Sequence, residues 1–254
     1  MQALPDDLIR ALRAPDQRSC GRMAGGMGAP ATDRLAQLDA ASESIRAWSP
    51  LLIPGLLQTT LYSMAAIRSR TPSLSDEQTG LRMKHRLRRS ESFLANFGPA
   101  APGNAEAWFI MGEAALTQSV TNAAFHAHQL QHLMTVIDAC PRIHVRVLPD
   151  DASTAGNMEP FSIHALADGP RVGHLETIVG GWYTTRTEDV SRLYSAFAVL
   201  GEHALEPSET RRVIEECMTL CRASGGTEPG SSSPATATPT TAYSLHGLPA
   251  APSL

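Results

Sequence analysis

The chain has 254 residues, 43% of them hydrophobic but only 5% aromatic, with a formal net charge of −4. That length suits one sizeable domain with an aliphatic core, and the mild acidity argues against a protein whose main task is wrapping nucleic acid. Its four cysteines, Cys20, Cys140, Cys217 and Cys221, are too few for a disulfide scaffold, no run approaches a membrane span, and Met1–Ala31 lacks a charged leader followed by an apolar stretch, so the expected location is the cytoplasm.

Taken in chain order, Met1–Ala31 reads as a poorly ordered arm rich in Gly, Pro and Met. The stripe Leu35, Leu38, Ser42 and Ile45 predicts a helix over Thr32–Trp48, broken by Pro50 and Pro54. A second helix is expected over Leu56–Arg70, and a third over Ser75–Asn96 behind a Ser-Asp-Glu start that suits the positive end of a helix. Ala107–Met111 reads as a buried strand. Asn122–Ala139 reads as a helix stopped by Pro141. Three strands follow at Ile143–Leu148, Phe161–Leu166 and Val172–Val179. Thr187–Ala204 is expected as a helix with a Thr185/Glu188 capping box, and a last helix runs from Pro207 to about Cys221. Cys217 and Cys221 then share a face and pack inward. The fold class is α+β: a small, mostly antiparallel sheet of about four strands packed with about six helices. The expected domain spans 32–222. Residues 223–254, dominated by Ser, Thr, Pro, Gly and Ala, are a disordered tail in which Tyr243, Leu245 and Leu248 are chance hydrophobics or a short docking motif.

Ser44–Tyr62 reads SIRAWSPLLIPGLLQTTLY, with Ile53-Pro54-Gly55-Leu56-Leu57-Gln58-Thr59 at its centre. This block resembles the start of the effector domain of bacterial WhiJ-like, Xre-type regulators. Further blocks fall in that family's order: Arg82–Ser92, Trp108–Leu116, Gln129-Leu130 to Leu133, Val145–Pro149, Glu159-Pro160-Phe161, Leu175-Glu176 and Phe197–Leu205. The resemblance covers about Thr32–Arg222 and implies the effector half of a transcription regulator, sometimes antitoxin-like and paired with a small partner protein. Met1–Ala31 is too short for the helix-turn-helix that such regulators carry, so no direct DNA reading is expected. Thr117-Gln118 and His174 depart from the family pattern, which favours basic and aromatic residues there. Within the Pro-Gly-Leu-Leu-Gln block, Pro54 fixes φ and Gly55 permits an unusual backbone angle; the helix start that follows exposes N–H groups able to hold an anion.

Three constellations are candidates for function. His128-Gln129-Leu130-Gln131-His132 has zincin-like spacing but Gln where a base is needed, and both histidines fall away from the apolar face, so no metal site is expected. His126 lies on the apolar face as a core histidine. Arg82, Arg86 and Arg89 share one helix face, which is either solvated or a site for an anion or an acidic partner. The alternation of the central strands is the third. Ile143, Val145, Val147, Phe161, Ile163, Ala165, Leu175 and Val179 form the expected core face. The other face carries His144, Arg146, Ser162, His164, His174 and Glu176, gathered into one ionisable patch if the strands are neighbours. Gly180-Gly181-Trp182-Tyr183 is read as a simple turn or as a mobile loop bringing Trp182 over that patch.

The leading expectation is a stand-alone effector domain that binds a small molecule or a small regulatory protein through His144, Arg146, His164, His174, Glu176 and Trp182, with a homodimer left open. An enzyme of isomerase, cyclase or lyase type is the alternative, using His174 and Glu176 for acid–base chemistry without a cofactor. A protein-binding scaffold is the third. No P-loop, dinucleotide or serine-elbow motif is present in the sequence.

Overall fold

The computed structural model describes residues 29–118, 120–152, 158–167, 169–177 and 180–225. The expected arm up to residue 28 and the expected tail from 226 onward, with Cys20, Tyr243, Leu245 and Leu248, lie outside the described residues, as do Ile178 and Val179. The rest is α+β, with six strands in one mixed sheet and seven α-helices among the described residues, more than the sequence suggested.

The chain begins with α1 (Ala29–Ala41) and turns directly into β1 (Ser42–Ser49). A short 3-10 turn at Gly55–Leu57 leads to α2 (Thr60–Arg70) and α3 (Asp76–Phe97). Then come β2 (Glu106–Gly112), the single-turn α4 (Ala114–Thr117), α5 (Ala123–Ala139) and β3 (Ile143–Leu148). The strands β4 (Phe161–Leu166), β5 (Arg171–Thr177) and β6 (Gly180–Thr184) precede α6 (Thr187–His203) and α7 (Pro207–Gly225).

The sequence places a helix over Thr32–Trp48, whereas its second half is β1. The reason is visible in the burial of this strand. Ser42, Ile45 and Trp48 are its buried residues, a spacing of three that imitates a helical stripe. It arises because β1 is central and covered on both faces: Ile45 faces one core cluster and Trp48 the other. A register shift between Ser42 and Ser44 adds to the irregularity.

The sheet order is β3-β2-β1-β4-β5-β6. β3, β2 and β1 are parallel; β1, β4, β5 and β6 are antiparallel. Paired residues across neighbouring strands point to the same side, so the register sorts side chains into rows. One row runs Val145–Phe109–Ala47–Ser162–His174–Tyr183; the next runs His144–Trp108–Arg46–Ile163–Gly173–Thr184 and faces the other way. The first face is covered by α2, α3, α4, α5 and α7 around Phe93, Phe97, Leu130, Leu133 and Ile214, and by α1 through Leu38 against Val172 and Tyr183. The second is covered by α6 alone, through Val190, Phe197 and Leu200.

Several ends are fixed as their residues dictate. Ser75 and Gln78 form a reciprocal capping box on α3, and Asn122 caps α5. The N-cap of α6 lies one residue beyond the expected Thr185. Arg186 occupies the N-cap of α6 without a side-chain cap bond, while Thr184 Oγ1 accepts from Arg186 N and donates to Asp189, one residue earlier than expected. The edge strand β3 is closed by the α6–α7 junction: Leu205 N donates to Val147 O, and Val147 N donates to Thr210 Oγ1 at 3.2 Å. Cys217 is buried, with Cys221 packed beside it at the edge of the same cluster. No helix among the described residues is long and apolar enough to cross a membrane.

Candidate functional site

The register divides the expected ionisable patch into two. β4 and β5 are neighbours, so Ser162, His164, His174 and Glu176 do share a face. β3 is not beside them, since β2 and β1 intervene. Its phase is also opposite: Val145, not His144, falls in the row of Ser162 and His174. His144 and Arg146 therefore belong to the α6 face. The expected core face splits in the same way, with Ile143, Val145 and Val147 on one side and Phe161 and Ile163 on the other. Gly180–Thr184 is neither turn nor loop but the edge strand β6, and Trp182 pairs with Leu175 on the α6 face, 39% exposed and away from His174.

What approaches the histidines is the helix face that carries Arg82, Arg86 and Arg89. Arg89 Nε donates to Asp39 Oδ2 at 2.8 Å, with Asp39 fully buried on α1 and the Arg89 side chain 17% exposed. Asp39 Oδ1 has no hydrogen-bond partner and lies 3.8 Å from His164 Nδ1. Ser42 Oγ donates to Leu38 O at 2.6 Å, so its lone pair faces His164 Nδ1 at 3.3 Å and fixes the proton on that nitrogen. His164 Nε2 is then an acceptor for Ser162 Oγ at 3.0 Å, and Ser162 Oγ in turn accepts from His174 Nδ1 at 3.5 Å. A directed chain thus runs from His174 through Ser162, His164 and Ser42 to the last turn of α1. The His174 ring packs on Tyr183 at 4.7 Å and sits over Gly181, where a Cβ would lie 2.6 Å from Nε2. Burial holds both imidazoles neutral. It lowers His164 below the ordinary histidine range against the pull of Asp39, and it lowers His174 from 6.5 to about 4 against the pull of Glu176.

Arg86 lies beside this chain. Its Nη1 donates to Gln58 Oε1 at 2.8 Å, and no carboxylate among the described residues hydrogen-bonds it. Burial lowers its pKa to about 10; Arg89, Arg70 and Arg82 push the same way, and Glu176 opposes. Glu176 itself pairs with Arg70 at 3.2 Å, at a rim where both side chains are about half exposed. It makes no hydrogen bond to His174. Arg89 thus pairs with Asp39 beside the buried imidazoles, and Arg70 pairs with Glu176 at the rim.

The Pro-Gly-Leu-Leu-Gln block is what positions Arg86. Leu57 N donates to Pro54 O at 2.8 Å to close the 3-10 turn, and Gln58 Nε2 donates to Ile53 O at 2.6 Å. Gln58 Oε1 is left to accept from Arg86 and from Ser63 Oγ. Gln129, fully buried on α5, clamps the same segment by donating to Leu57 O at 2.9 Å and accepting from Thr59 N at 2.6 Å. Gly55 does not take the unusual angle expected of it, because Gly103 carries the positive φ found among the described glycines. At the start of α2, Thr59 Oγ1 accepts from Tyr62 N and so takes up one of the free N–H groups there. Asp39, Ser42, Gln58 and Gln129 were missed from sequence. A buried glutamine inside the zincin-like run is the one signal that pointed there.

On the α6 face, His144 stacks on Trp108 with centroids 3.8 Å apart. Arg146 Nε donates to Leu205 O at 2.8 Å, and its Nη2 reaches Ala204 O and Glu206. It thereby caps the C-terminus of α6. His126 Nε2 donates to Leu116 O at 2.7 Å from a fully buried position, and its Nδ1 has no hydrogen-bond partner among the described residues. Among the described residues no cluster has the makings of a metal site.

A family model described as a domain of unknown function, DUF5753, matches residues 32–216. The chain belongs to the DUF5753 family. No curated protein and no solved structure matches it. The matched span begins in α1 and ends in α7, so Asp39, the arginine face of α3 and the β4–β5 histidines all lie inside the DUF5753 domain.

Proposed function

We propose that this DUF5753 domain is a regulatory effector module that takes a small anionic molecule at the arginine face of α3, on the side toward Glu176 of β5. The observation that carries the reading is Arg86: a guanidinium lowered to about 10 by burial, bonded to an amide oxygen, with three more arginines around it. A cation drawn partly out of water without a hydrogen-bonded carboxylate is costly, and an incoming carboxylate or phosphate offsets that cost with charge-assisted hydrogen bonds. Arg82, Arg86 and Arg89 present donors to the anion; Glu176 and Arg70 form its rim. The imidazole–serine chain ties the site to Asp39 on α1, so occupancy would be felt at the helix that leads out of the domain on its N-terminal side. The likeness of the sequence blocks to WhiJ-like regulators supports an effector role. The acid–base alternative lacks the His174–Glu176 bond it calls for.

Thermal unfolding in the presence of inorganic phosphate, citrate and chloride tests the reading. A bound anion at about one hundred times its Kd stabilises by about 2.7 kcal/mol, a rise in Tm of about 5–10 °C for a domain of this size. Phosphate or citrate is expected to give that rise, chloride is not, and Arg86→Gln removes it. Equal Tm in all three salts, or an unchanged response in Arg86→Gln, overturns the proposal.

A further inference from the structure

The α6 face carries an arrangement of its own. On it, the row His144–Trp108–Arg46 lies beside Ile110 and Arg146 of the next row. α6 crosses above with Phe197 and Gly201. Between helix and sheet is a cavity of about 270 Å³ lined by Arg46, Trp108, Ile110, Arg146, Phe197 and Gly201, among others. That is just below the range of about 300–1,000 Å³ for drug-sized ligands, so the occupant must be small. The lining is largely apolar: one face of Trp108 is stacked on His144 with 19° between the planes, and Ile110 of the sheet and Phe197 of α6 are buried.

Arg46 stands at the side of this cavity. It donates to Ser44 Oγ at 3.1 Å and lies 5.3 Å from the Tyr194 ring, and among the described residues no carboxylate pairs with it. Gly201 adds a second, independent observation. It lies within α6, where glycine costs about 1 kcal/mol relative to alanine. A Cβ built there meets nothing within 4 Å, so no neighbour demands a glycine. Its effect is to leave the cleft open.

We propose that this cleft binds a small aryl carboxylate, with its ring on Trp108 beneath Phe197 and its carboxylate on Arg46. The ring gains offset stacking, and the guanidinium offers a planar fork matched to a carboxylate. The site lies on the opposite side of the sheet from Arg86 and stands or falls separately from it.

Calorimetry and tryptophan fluorescence on the full chain, with 2-naphthoate and its neutral isostere 2-naphthamide as probes, test this. In phosphate buffer, which occupies the Arg86 site if the first proposal holds, naphthoate is expected to bind saturably at one site, at least about tenfold more tightly than the amide, as a charge-assisted contact requires. Arg46→Gln brings the two probes to equal affinity. Gly201→Leu fills the cleft and abolishes binding of both with no fall in Tm. The proposal is overturned by absence of saturable naphthoate binding at millimolar concentration, by equal binding of acid and amide to the wild type, or by naphthoate binding that survives Gly201→Leu. Arg46→Gln, at a partly exposed side chain, decides the matter alone should Gly201→Leu fail to fold.

Discussion

The two faces of this sheet treat polar residues in opposite ways. Under the crowded face, covered by six helices, polar side chains are drawn into an internal network: Asp39, Ser42, His164 and His174 are buried together, linked through the half-buried Ser162 and joined to Arg89. Under the other face, a single helix leaves open space, and Arg46 and Trp108 border a cleft. A polar residue on a sheet becomes internal wiring or a binding surface according to what lies above it, and the strand sequence alone does not carry that information.

The sharpest way to break this comparison is to cut the network at its centre. Asp39→Ala removes the carboxylate from a buried pair and leaves Arg89 uncompensated, which costs about 3–5 kcal/mol. Asp39→Leu combined with Arg89→Met is expected to recover much of that loss, because it removes both charges. Urea denaturation of the two variants measures it. A cost below about 1 kcal/mol for Asp39→Ala, the range of exposed pairs, would mean that the pair behaves as a surface bridge.

Acid supplies the next largest effect. His174 has its folded pKa lowered from 6.5 to about 4, so below about 6.5 the unfolded chain takes up a proton that the folded chain refuses. Stability from this group is complete above 6.5 and is lost as pH falls toward 4. The loss amounts to about 3 kcal/mol over that window. His164, lowered in the same direction, adds to the slope. Denaturation midpoints at neutral and mildly acidic pH are expected to fall steeply in the wild type and less steeply in His174→Asn. Parallel pH profiles would place the His174 ring in water.

The clamp of Gln129 on the 3-10 turn comes third. Gln129→Ala leaves Leu57 O without its partner, at about 1–3 kcal/mol for a buried group, while the part-buried Thr59 N can turn to water. Because that turn positions Gln58 against Arg86, the same variant should weaken any anion response of the arginine face. A variant that loses stability but keeps the full response would separate the turn from the site.

How much of this was legible beforehand follows from the same contrast. Elements with a single dominant period or a clear stop were readable: the strand Ile143–Leu148, the capped helix behind Ser75, and the helix between Asn122 and Pro141 match the structure to within a residue or two. β1 was not, because burial on both faces gave it a helix-like spacing. The site was half legible. His164, His174 and Glu176 were grouped correctly because β4 and β5 are consecutive and adjacent. Arg82, Arg86 and Arg89 were recognised as one helix face, but nothing local shows that α3 packs on α1 and brings Arg89 to Asp39. His144 and Arg146 were misassigned because strand order and phase are tertiary facts: inserting β2 and β1 between β3 and β4 is invisible to alternation.

The smallest effect distinguishes the faces most cleanly, since it turns on glycine in two settings. At Gly181 an added Cβ would lie 2.6 Å from His174 Nε2, so Gly181→Ala must displace the buried ring and is expected to destabilise. At Gly201 the added Cβ meets nothing, and alanine is the better helix former, so Gly201→Ala is expected to stabilise by up to about 1 kcal/mol. Thermal unfolding of the two variants should therefore shift in opposite directions. A loss of stability in Gly201→Ala would mean that α6 sits closer to Trp108 and Ile110 than the cleft allows, and no cleft would remain under α6.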